Sequence, residues 1–539
     1  MSHPNLHGTD LEFVEWLADQ LGRSPESVTT SICEAHGPWS TEVTDGHFVS
    51  LSLRNLGIAE GAIDPSALFE HLRALPHLRR LDVMDCGLGH LALDGLHTLE
   101  ALDCSDNRLT TLELGTLSGL KRLNVAGNRL LVLDLRAHHQ LTELDCSGNQ
   151  LGALVVPQPS RIELLDCARN ALIVLDLGEQ PHLRTLACFR NGLHAFTLAD
   201  APRLELLDCA RNDLVTLELP DTPRLTELIC TRNRLDALDL SSAPRIQKLA
   251  CRRNYLQQLD LSGLKSLKEI WARANQLDQV TLPESDVLQV VDLGDNRLDT
   301  LSVDGRGSLQ ELDLSGNELE HLSLRGCVGL CALKVSGNAL ASLDLTGLSE
   351  LAELTCEDNE LSHLDLTHCP DLCRTKIGAN TKVEASEHQL SRLEELRRRH
   401  GLSSGSPNRA GLNSWELHDL ALDATQHAGE DELRSIVEHP ACDLGTALLI
   451  YWTAAPHYFL QYASRDEVES YEVAGWDLLA SIEERVESGS FTSKMIRFDP
   501  KNDKQTRSVR GRDWTLDDRL VRVPAKRQIP TAMMQAVPG

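Results

Sequence analysis

Hydrophobic residues return along this chain at a fixed interval. Between residues 78 and 392 they follow the unit L-x-x-L-x-(C/L/V)-x-x-N-x-L-x-x-L-x-L with five variable positions behind it, as in Leu225 to Arg245. Asparagines at 107, 128, 149, 170, 191, 212, 233, 254, 275, 296, 317, 338, 359 and 380 stand 21 residues apart every time, and an earlier copy ending at Cys86 makes fifteen coils. In one unit Leu225, Leu228 and Cys230 alternate as in a short strand with its apolar side chains turned inward. Leu235, Leu238 and Leu240 fill the rest of the cross-section. Asn233 falls where the chain turns after the strand, and its amide both donates and accepts, so stacked copies can satisfy backbone groups that the turn buries.

Each unit is too small to bury its own leucines and is stable only against its neighbours. The pattern therefore predicts a solenoid of short parallel strands about 4.8 Å apart, its arc roughly 70 Å along the curve. After the second L-x-L only five residues remain per unit, too few for a helix on the outer face. The outer face is expected to be a second extended segment and a turn, with Pro181, Pro202, Pro223 and Pro244 restricting one slot of it. The final copy carries Lys382 and Glu387 in place of core leucines, so the stack should end there.

This motif resembles the leucine-rich repeat, and its 21-residue form with L-x-x-L-D-C and L-x-x-L-D-L halves is similar to the short bacterial class called IRREKO repeats. The resemblance covers residues 78 to 392. It implies a leucine-rich-repeat solenoid that binds protein, without naming a partner.

The flanks read differently. Residues 1–77 are expected to form a helical cap and an irregular first repeat. A helix over 9–22 would carry Phe13, Trp16, Leu17 and Leu21 on one face, followed by a strand in HFVSLSLRNLGI and a short helix from Pro65 to Leu75. At the other end Glu384 to His400 reads as a charged capping helix with Leu390, Leu393 and Leu396 as its stripe, and GLSSGSPNRAG as a linker, together spanning 384–411. Residues 412–539 share no repeat and predict a small α+β domain: helices around ALLIYW and DLLASIEERV, then hairpins in SKMIRFDP and RLVRVPA. Its acidic stretch, 411–493 (16 acidic, 3 basic), and its basic one, 494–527 (11 basic, 5 acidic), are expected to fold onto each other. HPACDLGTALLIYW, YASRDEVESYE and FTSKMIRFDP resemble a small uncharacterised bacterial domain.

Composition narrows the function classes. A net charge of −28 disfavours general binding to nucleic acid or anionic membranes. The N-terminus has no basic start or long apolar run and reads as an amphipathic helix, not a signal peptide; no stretch of 18 apolar residues is present. The fifteen cysteines recur mainly at one repeat position. That reads as small buried hydrophobes in a reducing compartment, hence a cytoplasmic protein.

No metalloprotease, nucleophile-elbow or phosphate-loop motif is present, so no enzyme, cofactor or metal is expected. His439, Cys442 and Asp443 raise the alternative of a secreted effector enzyme with a C-terminal thiol, against a structural cysteine at the start of a buried helix. Cys327, Cys331, Cys369 and Cys373 form two C-x-x-x-C pairs for which zinc is weighed and set aside.

The informative variation lies at positions taken as exposed on the strands. The residue before the asparagine is Arg in five consecutive units: Arg169, Arg190, Arg211, Arg232 and Arg253. Arg252 and Arg273 stand one position earlier. Across the same region the Asp before the core cysteine gives way to Ala187, Ile229, Ala250 and Trp271, and Phe189 and Tyr255 appear. Arginine beside aromatics is what an interface hot spot needs. These residues predict a concave binding face for a protein partner with an acidic surface. A surface network of Asp166 with Arg169 and Asp208 with Arg211 is the bland alternative, and nucleic-acid binding by the arginine row the disfavoured one.

Overall fold

A computed structural model describes residues 6–33, 40–54, 64–386 (except 92, 116 and 379), 389–390, 430–439, 442, 444–453, 465 and 473–487. The chain divides into two compact units, residues 1–386 and 387–539.

The first unit is the solenoid. Its main sheet has seventeen strands, the first two belonging to the N-terminal cap. Glu42–Thr44 pairs antiparallel with His47–Ser52, and from there every strand is parallel to the last. The repeat strands are three residues long and in register at intervals of 21, from Arg80–Asp82 through Glu227–Ile229 to Arg374–Lys376. In Glu227–Ile229, for instance, the middle residue Leu228 is fully buried, while Glu227 and Ile229 on either side are half-buried.

The asparagines close each turn as their position predicts. Asn233 Nδ2 donates to the carbonyls of Cys209 and Cys230, both at 3.0 Å, and its Oδ1 accepts from the Leu214 amide at 3.1 Å. One amide thus ties together two successive coils, and the pattern repeats from Asn107 to Asn359. The cysteine column beside it, including Cys146, Cys167, Cys188, Cys209, Cys230 and Cys251, is fully buried and unbridged. Burial pushes these thiols up, Cys251 to about 12.

The outer face carries short extended segments, as the five-residue remainder requires. Four parallel pairs are formed there: Val132–Asp134 with Ala153–Val155, Val174–Asp176 with Ala195–Thr197, Gln258–Asp260 with Gln279–Thr281, and His363–Asp365 with Lys382–Glu384. The last pair corrects two expectations. Its register, His363 to Lys382, is two residues shorter than the repeat, so Val383 takes the slot opposite Leu364 and Lys382 stays at the exposed edge. Glu384, expected to open the capping helix, ends this strand. The remainder of that helix from 391, and the linker, lie outside the described residues.

The N-terminal cap is a helix Thr9–Leu21, a second helix Pro25–Cys33 that the hydrophobic pattern did not announce, and a third, Pro65–Arg73. Gly22, with φ 62°, lets the first helix end in a left-handed turn, where the Arg23 amide donates to the Ala18 carbonyl. Phe13 and Leu17 are buried, while Trp16 stacks on His71 with ring centroids 4.0 Å apart. Asp10, also buried, pins this helix to the second strand: its carboxylate accepts from the Phe48 amide at 2.7 Å and meets His47 Nδ1 at 2.8 Å.

In the second unit the described residues form three helices, Glu430–Val437, Leu444–Thr453 and Val473–Glu487. The Tyr451 hydroxyl donates to Glu483 at 2.6 Å in a buried pair, and Arg465 grips Asp477 through two nitrogens. The hairpins expected in SKMIRFDP and RLVRVPA lie outside the described residues.

Candidate functional site

The arginine row is not on the strands. Each strand ends three residues earlier, Leu164–Asp166 before Arg169 and Glu227–Ile229 before Arg232, and the arginines occupy the turn that follows. Their backbones are left-handed: φ is 56° at Arg169, 54° at Arg190, 55° at Arg211, 58° at Arg232 and 54° at Arg253. The same turn position is left-handed in other coils too, where Asp106, Gly127, Gly148, Ala274, Asp295, Gly316, Gly337 and Asp358 fill it. Glycine has no Cβ to clash there, and Asp tolerates the conformation through local hydrogen bonding. For other residues it costs roughly 1–2 kcal/mol. The Gly and Asp seen elsewhere in this slot thus meet a backbone demand, which the five arginines meet poorly.

Three of them, Arg169, Arg190 and Arg211, are half-buried, while Arg232 and Arg253 are exposed. The Arg169 guanidinium lies over the Phe189 ring at 5.6 Å from its centroid, which joins two of the expected site residues across neighbouring coils.

A second cluster forms around Trp271. The Arg252 guanidinium lies 4.4 Å from the indole centroid, close enough for a cation–π contact. Reaching past the ring, Arg252 Nη2 donates to Asp292 at 2.5 Å. Arg273 repeats the device one coil later, with Nε donating to Asp295 and Nη1 to Asp313, each at 2.8 Å. Burial raises the Asp292 carboxyl above its ordinary range, against the pull of Arg252. Burial of Arg273 would lower its value, but Asp313, Asp295 and Asp292 outweigh it and hold the guanidinium more firmly charged. The Trp271 Nε1 donates to Glu269 at 3.3 Å. Arg252 and Arg273 are therefore paired with acids of this chain, and Arg252 packs on Trp271, which is half-exposed. Asp292, Asp295 and Asp313 were not among the expected site residues. A signal did exist, since Arg252–Asp292 and Arg273–Asp313 are both separated by 40 residues.

Tyr255 is placed apart from this cluster. It follows the ladder asparagine, the residue is 52% exposed, and its amide donates to the Leu235 carbonyl of the coil before. Along the strand column, register sets Asp166, Ala187, Asp208, Ile229, Ala250, Trp271 and Asp292 side by side. The centre of the concave face is thus short of the acids that flank it.

The thiol candidates fall elsewhere. Cys442 is fully buried. Cys327 is buried and donates to the Val303 carbonyl at 3.1 Å; Cys331 and Cys373 bond to the carbonyls of Gly329 and Ala352. Among the described residues no three His, Cys, Asp or Glu side chains are grouped as a metal site would need, and no helix is long and apolar enough to cross a membrane.

Comparison with known families matches residues 308–351 to the Leucine Rich Repeat family and residues 413–486 to a domain of unknown function, DUF4274. The solenoid is a leucine-rich-repeat domain, and a domain of an uncharacterised family follows it. No curated protein matches the chain. Among solved structures, the functional domain of InlJ from Listeria monocytogenes, which includes a cysteine ladder, is 26% identical with a TM-score of 0.45. That alignment covers 56% of this chain and 63% of that one, so the chain spans less than two thirds of its length. YopM from Yersinia enterocolitica is 24% identical over 69% of this chain and 86% of that one, with a TM-score of 0.46. A leucine-rich-repeat protein of Leptospira interrogans is 22% identical over 62% and 85%, with a TM-score of 0.43.

Proposed function

We propose that the solenoid is a protein-binding scaffold of the reducing cytoplasm, whose concave face between residues 162 and 287 receives an acidic protein surface. The observation that carries this reading is the arginine row. Five successive coils place arginine at a left-handed turn where glycine or aspartate is the easier choice. A backbone cost taken repeatedly, in one contiguous block, points to a use for the side chain. On a molecule of net charge −28 the row is a local reversal of sign, suited to steering an acidic partner and fixing its register. Trp271 and Phe189 supply the aromatic contact beside it. Arg252 and Arg273 take a different role from the row: both are paired with acids of this chain, Arg252 also packs on Trp271, and the recognition of a partner's acids falls to the five turn arginines. Curved repeat stacks use their concave side in this way in general. The unit from 387 onward, with the 413–486 domain inside it, is a second module of the same scaffold.

The test captures partners from a lysate of the source organism on the full chain, and compares it with two variants. Changing Arg190, Arg211 and Arg232 together to Glu is expected to abolish capture with unchanged circular dichroism. Arg136→Glu is expected to leave capture intact, because Arg136 lies just after an outer strand, bonded to Asp134. Equal capture by the triple variant refutes the concave-face reading and moves the binding role to the second module.

A further inference from the structure

Three and four residues after each ladder asparagine the chain crosses the outer face. In the later coils these two places are mostly polar: Gln257 and Gln258, Asp278 and Gln279, Asp299 and Thr300, Glu320 and His321. Between Asn128 and Asn212 they are not. Leu131, Val132, Ile173 and Val174 are each between 56% and 60% exposed, and Val215 is exposed beside them. The backbone does not require this, since Gln258–Asp260 and Gln279–Thr281 form the same paired outer strands from polar residues. Contiguous apolar surface of more than a few hundred Å² marks a contact site on a protein in water.

Bulk alternates along this stretch. Gly152 and Ala153 stand between the Leu131–Val132 pair and the Ile173–Val174 pair, and His194 and Ala195 stand between the latter and Val215. In the outer strands Val132 lies opposite Ala153, and Val174 opposite Ala195. Amides of Gln150, Ala171, Gly192 and Asp213 donate to the carbonyls of Leu130, Leu151, Leu172 and Leu193, each at 3.0 Å, and hold the five coils side by side. The face is therefore corrugated, with ridges at every second coil, about 9.6 Å apart. The trough above Gly152 is open: a Cβ added there meets nothing within 4 Å.

We propose that this outer face, from Leu131 to Val215, is a dimer interface between two copies of this chain, packed ridge into trough. A face with a two-coil period is complementary to itself under a two-fold rotation. With the axis along the outer strands, between the coils of Asn149 and Asn170, Ile173 and Val174 of each copy seat over Gly152 and Ala153 of the other. The same rotation sets Leu131 and Val132 over His194 and Ala195. Sliding one copy by a single coil puts ridge on ridge, so the corrugation also fixes the register. Five coils at about 4.8 Å and six residues at about 3.3 Å give each face a footprint of roughly 24 by 20 Å. Two such faces come close to the ~1,200 Å² at which specific interfaces begin, which suits a weak, reversible dimer. The apolar pairs are uncharged while each chain carries −28, so salt that screens the mutual repulsion should tighten the dimer. The concave face stays uncovered, and the proposal stands whether or not the arginine row binds a partner.

The experiment is sedimentation velocity of the full chain over a rising concentration series, at low and at high chloride. A reversible monomer–dimer equilibrium that tightens with salt is expected. Gly152→Leu adds apolar surface but fills the trough, so it is expected to weaken the dimer about tenfold or more. Unspecific apolar association would instead grow stronger in that variant. Ile173→Thr with Val174→Thr keeps strand-forming residues while cutting down the ridge; it is expected to weaken the dimer as well, and serves alone if Gly152→Leu does not fold. A chain that stays monomeric at every concentration leaves the face to another partner and overturns the proposal. So does a dimer unchanged in a folded variant, or one strengthened by Gly152→Leu.

Discussion

The left-handed turn arginines make a prediction about stability that runs opposite to the usual effect of cutting a side chain. Arg232 and Arg253 are the exposed members of the row, at φ 58° and 54°. A left-handed residue with a Cβ costs roughly 1–2 kcal/mol. Glycine removes that cost but loses about 0.5–1 kcal/mol through the extra freedom of the unfolded chain. Replacing each arginine by glycine should therefore stabilise its coil by about 0.5–1 kcal/mol, and both together by about 1–2 kcal/mol if the two turns add. Gly337 offers the converse. Its φ is 67°, and a Cβ added there would meet only the backbone of Gly316, at 3.5 and 3.6 Å, which is ordinary contact. Gly337→Arg should then cost the same amount for conformational reasons alone. Urea midpoints of the full chain, with native-state hydrogen exchange across residues 228–256, read both effects. If Arg232→Gly with Arg253→Gly lowers stability by 1 kcal/mol or more, the side-chain contacts outweigh the backbone cost. The row would then need no functional explanation.

Two further outcomes follow from the core. Asn233→Ala removes the bonds to Cys209, Cys230 and Leu214 and should cost about 1–3 kcal/mol. Exchange should rise in the coils around residues 204–254; a uniform rise over the whole solenoid would contradict nearest-neighbour stacking. The cysteine column should make the protein alkali-labile. Cys251 is pushed from an ordinary value of 9.0 to about 12. Below pH 9 its thiol is neutral in both states; above, only the unfolded chain ionises. Stability is therefore lost as pH rises from 9 toward 12, by up to about 1.4 kcal/mol per pH unit for each such thiol. Cys188→Val with Cys209→Val, a residue the column already holds at Val125 and Val335, should flatten that loss in alkaline unfolding curves, and an unaltered slope would exclude the thiols as its cause.

The solenoid was legible because its determinants are local and repeated. The strand, the ladder amide and the five-residue outer remainder each follow from one 21-residue unit, and every unit says the same thing. What escaped depends on relations between units. The turn position before the asparagine looks like a surface site when side chains alone are read, since Arg, Gly and Asp differ in charge more plainly than in backbone preference. Only the φ values show that Gly127 and Asp295 answer a conformational need. The Arg252–Asp292 and Arg273–Asp313 pairs skip a coil, and single-unit reasoning pairs only neighbours. The shortened last coil ends the stack by deletion, whereas residue type suggested ending it by loss of leucine at Lys382.

The placement of the strained row within the stack has its own logic. Five left-handed arginines cost roughly 5–10 kcal/mol together, as much as the whole stability of many domains. In a globular core such strain would be shared by one cooperative unit. In a solenoid each coil answers only to the two that flank it, so each turn's cost falls on its own pair of interfaces. An end coil has one such interface and can least withstand it. The row occupies the interior, from Arg169 to Arg253. Apart from Ala274, which directly follows the row, the coils toward both ends use residues that accept the conformation, with Asp106, Gly127 and Gly148 before the row and Asp295, Gly316, Gly337 and Asp358 after it. Stability thus sets where along the stack a run of arginines can stand.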